Sequence, residues 1–442
     1  MNVVNRLALF LVVLASGVAA QNQRSSPGNS SNASYDLVSL EVTGTKRYAD
    51  KEILAASGLQ IGQNAADPDF KEAARRLVNS GMFSDVDYSF RASGPDVKLD
   101  FRLSDIDESK LVPAHFENLI WFTDQELRAA VQRRVPLFKL LLPVIGSLPD
   151  EVSEALQSIL SDRQLPGRVD YQREGDDSGG PLTGITYRVE EVSIEIRNVE
   201  FPGASPVQAA QLAAVARRFT GTDYLRSSLA VADKIDFLPI YLKNGYLKAV
   251  FQASNARVVP RPQDADTEGP HELLVDALIP VVPGEMYSTS GITLKGNSAV
   301  KTADIAPLIQ MPLGQPADAI RLRSNVQNVS KLYRSRGYMM VQIKAEAQFD
   351  DEKSAVHYHI DITEGDVYRM GDLEILGLDT QATARMIAAW ALPQGQPYNA
   401  DYLRKFLSDT ADILPRGIQW TTEIHETPEV KDKTVDVEIR FK

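Results

Sequence analysis

The chain has 442 residues, 43% of them hydrophobic, and 47 Lys and Arg against 59 Asp and Glu give a formal net charge of −12. That acidity is the wrong sign for a nucleic-acid footprint or for adhesion to anionic lipid. The absence of cysteine excludes disulfide frameworks, cysteine-rich zinc sites, iron–sulfur clusters, thiol catalysis and a bacterial lipoprotein anchor.

Residues 1–20 read as an export signal. Arg6 precedes the apolar run Leu7–Ala15, and Ser16-Gly17-Val18-Ala19-Ala20 supplies the small residues a signal peptidase requires. The run is well below the ~20 residues a bilayer span needs. Cleavage after Ala20 would remove one positive charge and leave −12 − 1 = −13. Residues 21–34 form a Ser/Asn/Gly-rich flexible linker in which Asn29 and Asn32 fit the glycosylation pattern by composition alone. No later segment is long enough to span a membrane. The most apolar window, Val135–Ile145, is broken by Lys139, Pro136 and Pro143; it reads as a packed loop or short helix, with a membrane-dipping or partner-binding patch as the alternative.

The informative feature is a repeat. Leu40-Glu41-Val42-Thr43-Gly44, Ile292-Thr293-Leu294-Lys295-Gly296 and Leu373-Glu374-Ile375-Leu376-Gly377 each alternate apolar and polar residues and stop at glycine, as a half-buried strand does. Nine residues on stand Ile53, Ile305 and Met386; fifteen on, Leu59, Met311 and Leu392; eighteen on, Gly62, Gly314 and Gly395. Val199-Glu200-Phe201-Pro202-Gly203 keeps the count, with Leu212 at nine and Gly221 at eighteen. A helical pattern then runs to a third glycine, Gly81, Gly245, Gly337 or Gly417, each followed by an apolar residue as a left-handed helix stop requires. Two alternating strands follow, such as Val341–Ala345 and Ala355–Ile362 around the turn Phe349–Lys353. The closing strand recurs at Val97–Leu103 and Val435–Phe441.

Each unit therefore reads strand–helix–helix–strand–strand. The predicted fold class is α+β: five tandem units, each a three-stranded mixed sheet covered by two helices, in an elongated array. The boundaries are 35–106, 109–191, 192–282, 285–366 and 367–442. The second unit is irregular. Asn118 takes the first glycine position, with Leu127 nine residues on; Asn tolerates a left-handed backbone best after glycine, so a left-handed Asn118 is expected. The apolar insertion Leu137–Ile145 precedes a helix from about Pro149 to Arg163 and a stop at Gly167.

This pattern, with Arg336-Gly337-Tyr338 and Ile362-Thr363-Glu364-Gly365, resembles the polypeptide-transport-associated (POTRA) domain over nearly all of residues 35–442. The resemblance implies a periplasmic location in front of an outer-membrane barrel, as in the core subunit of the barrel assembly machinery. That family continues into a transmembrane barrel, whereas this sequence ends at Phe441-Lys442. The expectation is a barrel encoded separately or lost by truncation. The implied partners are an outer-membrane barrel protein, unfolded outer-membrane protein clients and accessory lipoproteins, reached by strand addition to exposed sheet edges. A structural envelope spacer and a surface-antigen-like display array are the alternatives.

Enzymatic chemistry finds little support. Asp177-Ser178-Gly179-Gly180-Pro181 is similar to the nucleophile loop of trypsin-like proteases, but His115 lies in Pro113-Ala114-His115-Phe116, with none of the base's surroundings. Between two strand patterns the run reads as a hairpin turn. His357 and His359 share a strand face without a third ligand at recognisable spacing. Asp105-Ile106-Asp107-Glu108 and Asp350-Asp351-Glu352 read as acidic turns, and neither GxGxxG nor GxxxxGK[ST] occurs. No catalytic, cofactor-binding or metal residue is nominated, and no cofactor is expected.

Overall fold

The computed structural model describes residues 34–175, 180–259, 271–415 and 418–442. The export signal, the glycosylation triplets, residues 176–179 of the protease-like string and Gly417 lie outside them. The chain forms two compact units. One comprises residues up to Val112 together with Val131–Val152; the other comprises Pro113–Ala130 with Ser153–Lys442. No helix among the described residues is long and apolar enough to cross a membrane.

In the first unit, strand β1 (Tyr35–Thr43), helix α1 (Asp50–Ser57), β2 (Asn64–Ala65), α2 (Asp67–Asn79), β3 (Phe83–Ser93) and β4 (Asp96–Asp105) make a sheet of order β2-β1-β4-β3. The last strand lies in the middle, parallel to β1 and antiparallel to β3. Its alternation explains that position: Val97, Leu99, Phe101 and Leu103 are all buried under the helices, while Lys98 and Arg102 face out. Helix α2 answers with Phe70, Ala73, Ala74 and Leu77 at helical spacing. Each fully buried Leu or Phe here contributes about 1.5–3 kcal/mol. The two-residue β2 makes this sheet four-stranded, one more than the alternation pattern predicts, because so short a strand leaves no periodic signal.

Strand β5 (Leu111–Phe116) leads on to α3 (Asp124–Arg134), β6 (Leu141–Pro143) and α4 (Leu148–Asp162). The apolar insertion is partly packed and, unlike the loop or short helix expected of it, contains the short strand β6, with Ile145 left exposed. Leu137, Phe138 and Leu142 are buried, Tyr48 donates its hydroxyl to the Leu137 carbonyl at 2.8 Å, and Lys139 pairs with Glu52 at 3.0 Å.

In the second unit the end of β5 runs parallel to β8 (Leu182–Glu190), which pairs antiparallel with β7 (Arg168–Gly175). Next come β9 (Val192–Glu200), α5 (Pro206–Ala216), α6 (Arg226–Ala232), α7 (Leu238–Lys243), β10 (Val250–Phe251), β11 (Asn255–Val259), β12 (His271–Leu278) and β13 (Val281–Val282). They give a sheet of order β11-β12-β9 and a short ribbon of β10 and β13. Strand β14 (Ser288–Lys295), α8 (Thr302–Ile305), α9 (Ala319–Ser335), β15 (Gln342–Asp350) and β16 (Ala355–Thr363) form the sheet β14-β16-β15. Finally β17 (Arg369–Leu376), α10 (Thr380–Ala389), α11 (Tyr402–Asp409), β18 (Thr422–Glu429) and β19 (Thr434–Phe441) form β17-β19-β18. Separate apolar cores lie beneath the sheets β11-β12-β9, β14-β16-β15 and β17-β19-β18.

The glycine after each opening strand is required by a close approach. Gly296 has φ +83°, and a Cβ there would stand 2.0 Å from the Ile362 carbonyl oxygen; Gly44 and Gly377 meet the closing strand in the same way, while Gly203 meets the Val281 carbonyl of β13. Asn118 departs from the expectation. It is absent from the left-handed residues and instead uses its side-chain amide, donating to the Val189 carbonyl at 2.9 Å and accepting the Val189 N–H at 2.7 Å. The carboxamide thus supplies the contact to the closing strand that bare backbone supplies elsewhere. Glu364, the acid of the Thr-Glu-Gly string, accepts N–H bonds from Ala299 and Val300 and the Tyr333 hydroxyl, tying the loop after Gly296 to α9.

A π-helical turn, Asp233–Phe237, joins α6 to α7. It seats Phe237 against Phe201 and Phe251 and draws Asp233 inward, where Oδ1 has no hydrogen-bond partner among the described residues. Burial pushes this carboxyl up to about 6.

Two predictions follow from these contacts. Gly296→Ala loses about 3 kcal/mol or more in urea unfolding, from left-handed strain plus the clash with Ile362, whereas Gly314→Ala, at φ +70° with nothing within 4 Å, loses only about 1 kcal/mol. Equal losses would remove the close approach as the cause. At Asp233 the folded chain holds its proton more tightly than the unfolded chain, so stability declines as pH rises from about 4 through about 6. Asp233→Asn abolishes that component and gains about 1 kcal/mol at pH 7, less than the full shift because the carboxyl is partly solvated. Urea unfolding at pH 5 and 7.5 checks this, and an unchanged difference between the two pH values refutes it.

Candidate functional site

Each sheet has two edges, and backbone geometry treats them differently. The opening strand is capped by the turn between the helices. Gly62, Gly221, Gly314 and Gly395 donate their N–H to the carbonyls of Leu37, Ile196, Thr289 and Met370 at 2.7, 2.9, 2.8 and 2.8 Å. The second glycine of the sequence repeat is therefore an edge cap. The other edge, formed by β3, β7, β11, β15 or β18, has no strand beyond it among the described residues. Unpaired N–H and C=O groups along such an edge can accept another extended chain.

The five open edges differ in chemistry. Strand β18 carries Glu423, Glu426 and Glu429 with Pro428, which lacks an N–H. Strand β3 places Asp85 and Asp87 along its length, and β11 has only five residues. Strand β15 is nine residues long and exposed along nearly its whole length. Its helix-side row is Ile343, Ala345, Ala347 and Phe349, opposite the buried Ile362, Ile360, Tyr358 and Val356 of β16. The β16 row is covered, but Ala345, Ala347 and Phe349 are themselves exposed, so a row of mostly small apolar side chains lies open along the edge. The outward row is Gln342, Lys344, Glu346 and Gln348. Lys344 and Glu346 pair at 2.5 Å; the ammonium holds the Glu346 carboxyl below its usual range, and the carboxylate raises Lys344.

On the same face the His357 and His359 rings lie 4.8 Å apart. Their Nε2 atoms meet Thr293 Oγ1 at 2.7 Å and Gln348 Oε1 at 2.9 Å. No group of three His, Cys, Asp or Glu that could hold a metal occurs among the described residues. The acidic turns bond internally or to neighbours: Asp105 accepts from Thr45 and the Lys46 N–H, Asp107 from Ser109, and Asp350 from Lys353.

The third glycine does more than stop a helix. The Gly245 carbonyl accepts the Tyr287 N–H at 2.8 Å, and Tyr287 in turn accepts from Ala317 at 2.8 Å. Gly337 accepts from Tyr368 at 2.8 Å, and Tyr368 from Tyr398 at 2.9 Å. Each glycine thus docks the entry to the next sheet. Side chains reinforce both joints. Asp351 takes Lys248 at 2.7 Å and the Tyr287 hydroxyl at 2.6 Å, while Glu426 takes Arg334 at 3.8 Å and the Tyr398 hydroxyl at 2.5 Å. Further upstream, the nearly buried Arg226 guanidinium binds Asp124 at 2.6 Å and the Phe122 carbonyl at 2.8 Å. Sequence reasoning missed these joints. A signal existed: Tyr35, Tyr287 and Tyr368 each stand nine residues before the strand-ending glycine.

Residues 287–365 match the family described as POTRA, surface antigen variable number repeat. A provisionally named outer membrane protein assembly factor of Treponema pallidum (strain Nichols) is 21% identical over 262 residues, which cover 56% of this chain and 30% of that protein. The chain thus spans less than a third of that relative's length. BamA POTRA domains 3–5 of Haemophilus influenzae superpose with a TM-score of 0.45 at 17% identity, over 57% of this chain and 96% of that one. The N-terminal domain of Omp85 from the cyanobacterium Thermosynechococcus elongatus gives a TM-score of 0.23 at 14% identity, over 56% and 96%. The family match, rather than these superpositions, carries the assignment. Residues 287–365 match the POTRA family, and the chain is similar to a protein named as an outer-membrane assembly factor.

Proposed function

We propose that the chain is an array of five POTRA-like units, bounded as 35–106, 109–191, 192–282, 285–366 and 367–442, that takes part in outer-membrane protein assembly or polypeptide transport without catalysing a reaction. It acts in the periplasm after removal of residues 1–20, and associates with the outer membrane through a barrel partner. Its work is β-augmentation: an extended client or partner segment adds to an open edge, bonding through backbone and so tolerating many sequences. The observation that carries this reading is β15. That edge is long and exposed, its central Lys344 and Glu346 neutralise each other, and its helix-side alanines leave room for the side chains of an incoming strand. The acidic, proline-bearing β18 is poorly suited to the same role.

A photo-cross-linking residue at Ala347 should capture unfolded outer-membrane protein segments several-fold more efficiently than one at the exposed Lys331 of α9. Equal capture at both positions would sink the augmentation reading and favour a spacer or display array.

A further inference from the structure

The edge strand β15 is self-complementary. Set antiparallel to a second copy of itself about Ala345, Lys344 falls opposite Glu346 of the second copy, Gln342 opposite Gln348, and Ile343 opposite Ala347. Two-fold symmetry produces each pairing twice. Opposed residues of an antiparallel pair lie on one face, so charges and amides meet on the outward side. The apolar row meets on the helix side, where the small Ala347 of one strand receives the larger Ile343 of the other. No other open edge has this property. Pairing β18 with itself sets acid against acid, β11 brings a lone Arg257, and β3 leaves an aspartate unmatched in either register that uses Arg91. In β7, the register that matches Arg168 with Glu174 sets Asp170 against Gln172 and Arg173 against Val169.

We propose that two copies of this chain pair edge to edge through β15, giving a continuous sheet β14-β16-β15-β15-β16-β14 with the helices of both copies on one side. The occupant of the open edge is then a second copy, held by backbone bonds and by the crossed Lys344 and Glu346 pairs. Such a dimer covers the strip offered above to clients, so self-pairing and client binding exclude one another.

The absence of cysteine in the chain makes the test direct. Residues on the two-fold axis lie about 4.5–5.5 Å apart at Cα, within disulfide range. In the full chain, without any client, Ala345→Cys should oxidise to a covalent dimer. Ala347→Cys should not, because four residues of strand, about 13 Å, separate its two copies. By sedimentation across a concentration series, Glu346→Lys should weaken dimerisation about tenfold or more, since like charges then face each other. The double exchange Lys344→Glu with Glu346→Lys should restore it, which guards against a variant that merely misfolds. A chain that stays monomeric at every concentration, or that cross-links equally at Ala345 and Ala347, overturns the proposal. Client capture at Ala347 is measured separately, so either reading can fail while the other stands.

Discussion

The structure depends on a strand that arrives last and lies in the middle. In five of the sheets the closing strand, β4, β8, β12, β16 or β19, sits between the opening strand and its antiparallel partner. The hydrophobic effect decides this, because a central position under two helices buries the strand's inner row completely. The parallel approach leaves no room for a side chain where the opening strand ends, so a glycine or an amide that mimics backbone contacts stands there. From the same placement follows the inequality of edges: the opening strand can be capped by the turn between helices, while the hairpin strand is left outside.

Open edges are ordinarily hazards, and the five here are managed unequally. Strand β18 is protected by charge and proline, β11 by brevity. Strand β15 carries neither protection, and it belongs to the domain whose family match is explicit. At Gly245 and Gly337 a backbone bond to the Tyr287 and Tyr368 N–H joins that sheet to its sequence neighbours, and the pairs Lys248–Asp351 and Arg334–Glu426 cross the same joints. A binding edge with a fixed base loses less entropy on engagement than one on a freely moving domain.

Much of this was legible in the sequence because the repeat is written in residues with single backbone meanings. Gly44, Gly296 and Gly377 mark strand ends since no other residue fits beneath a carbonyl, and Leu373-Glu374-Ile375 announces a strand by alternation alone. What escaped has a physical reason in each case. Strand β2 is too short for periodicity. Asn118 stands at the glycine position without the left-handed backbone expected of it, and its amide reaches the closing strand directly, a choice that residue type cannot disclose. The edge caps at Gly62, Gly221, Gly314 and Gly395 were visible as spacing, but their purpose depends on which carbonyl each N–H meets. The tyrosines at the joints were ordinary core residues until their backbone partners were known. The openness of β15 rests on Ala345 and Ala347, which stand in the apolar row of an alternating strand yet are exposed, a fact that alternation does not disclose.

The central position of the closing strand also sets an order of events in time. Strand β16 finds β15 across a short turn, but β14 must wait for a partner that lies beyond the whole of residues 296–354. Local pairing forms quickly, whereas closing a long loop is slow. A chain made from its N-terminus therefore presents each opening strand before its own closer exists. Four opening strands of similar pattern, β1, β9, β14 and β17, await four similar closers, and a closer from one repeat could be captured by the opener of another. The differences in sequence between the repeats act against that exchange, so divergence among copies serves correct assembly as well as separate roles.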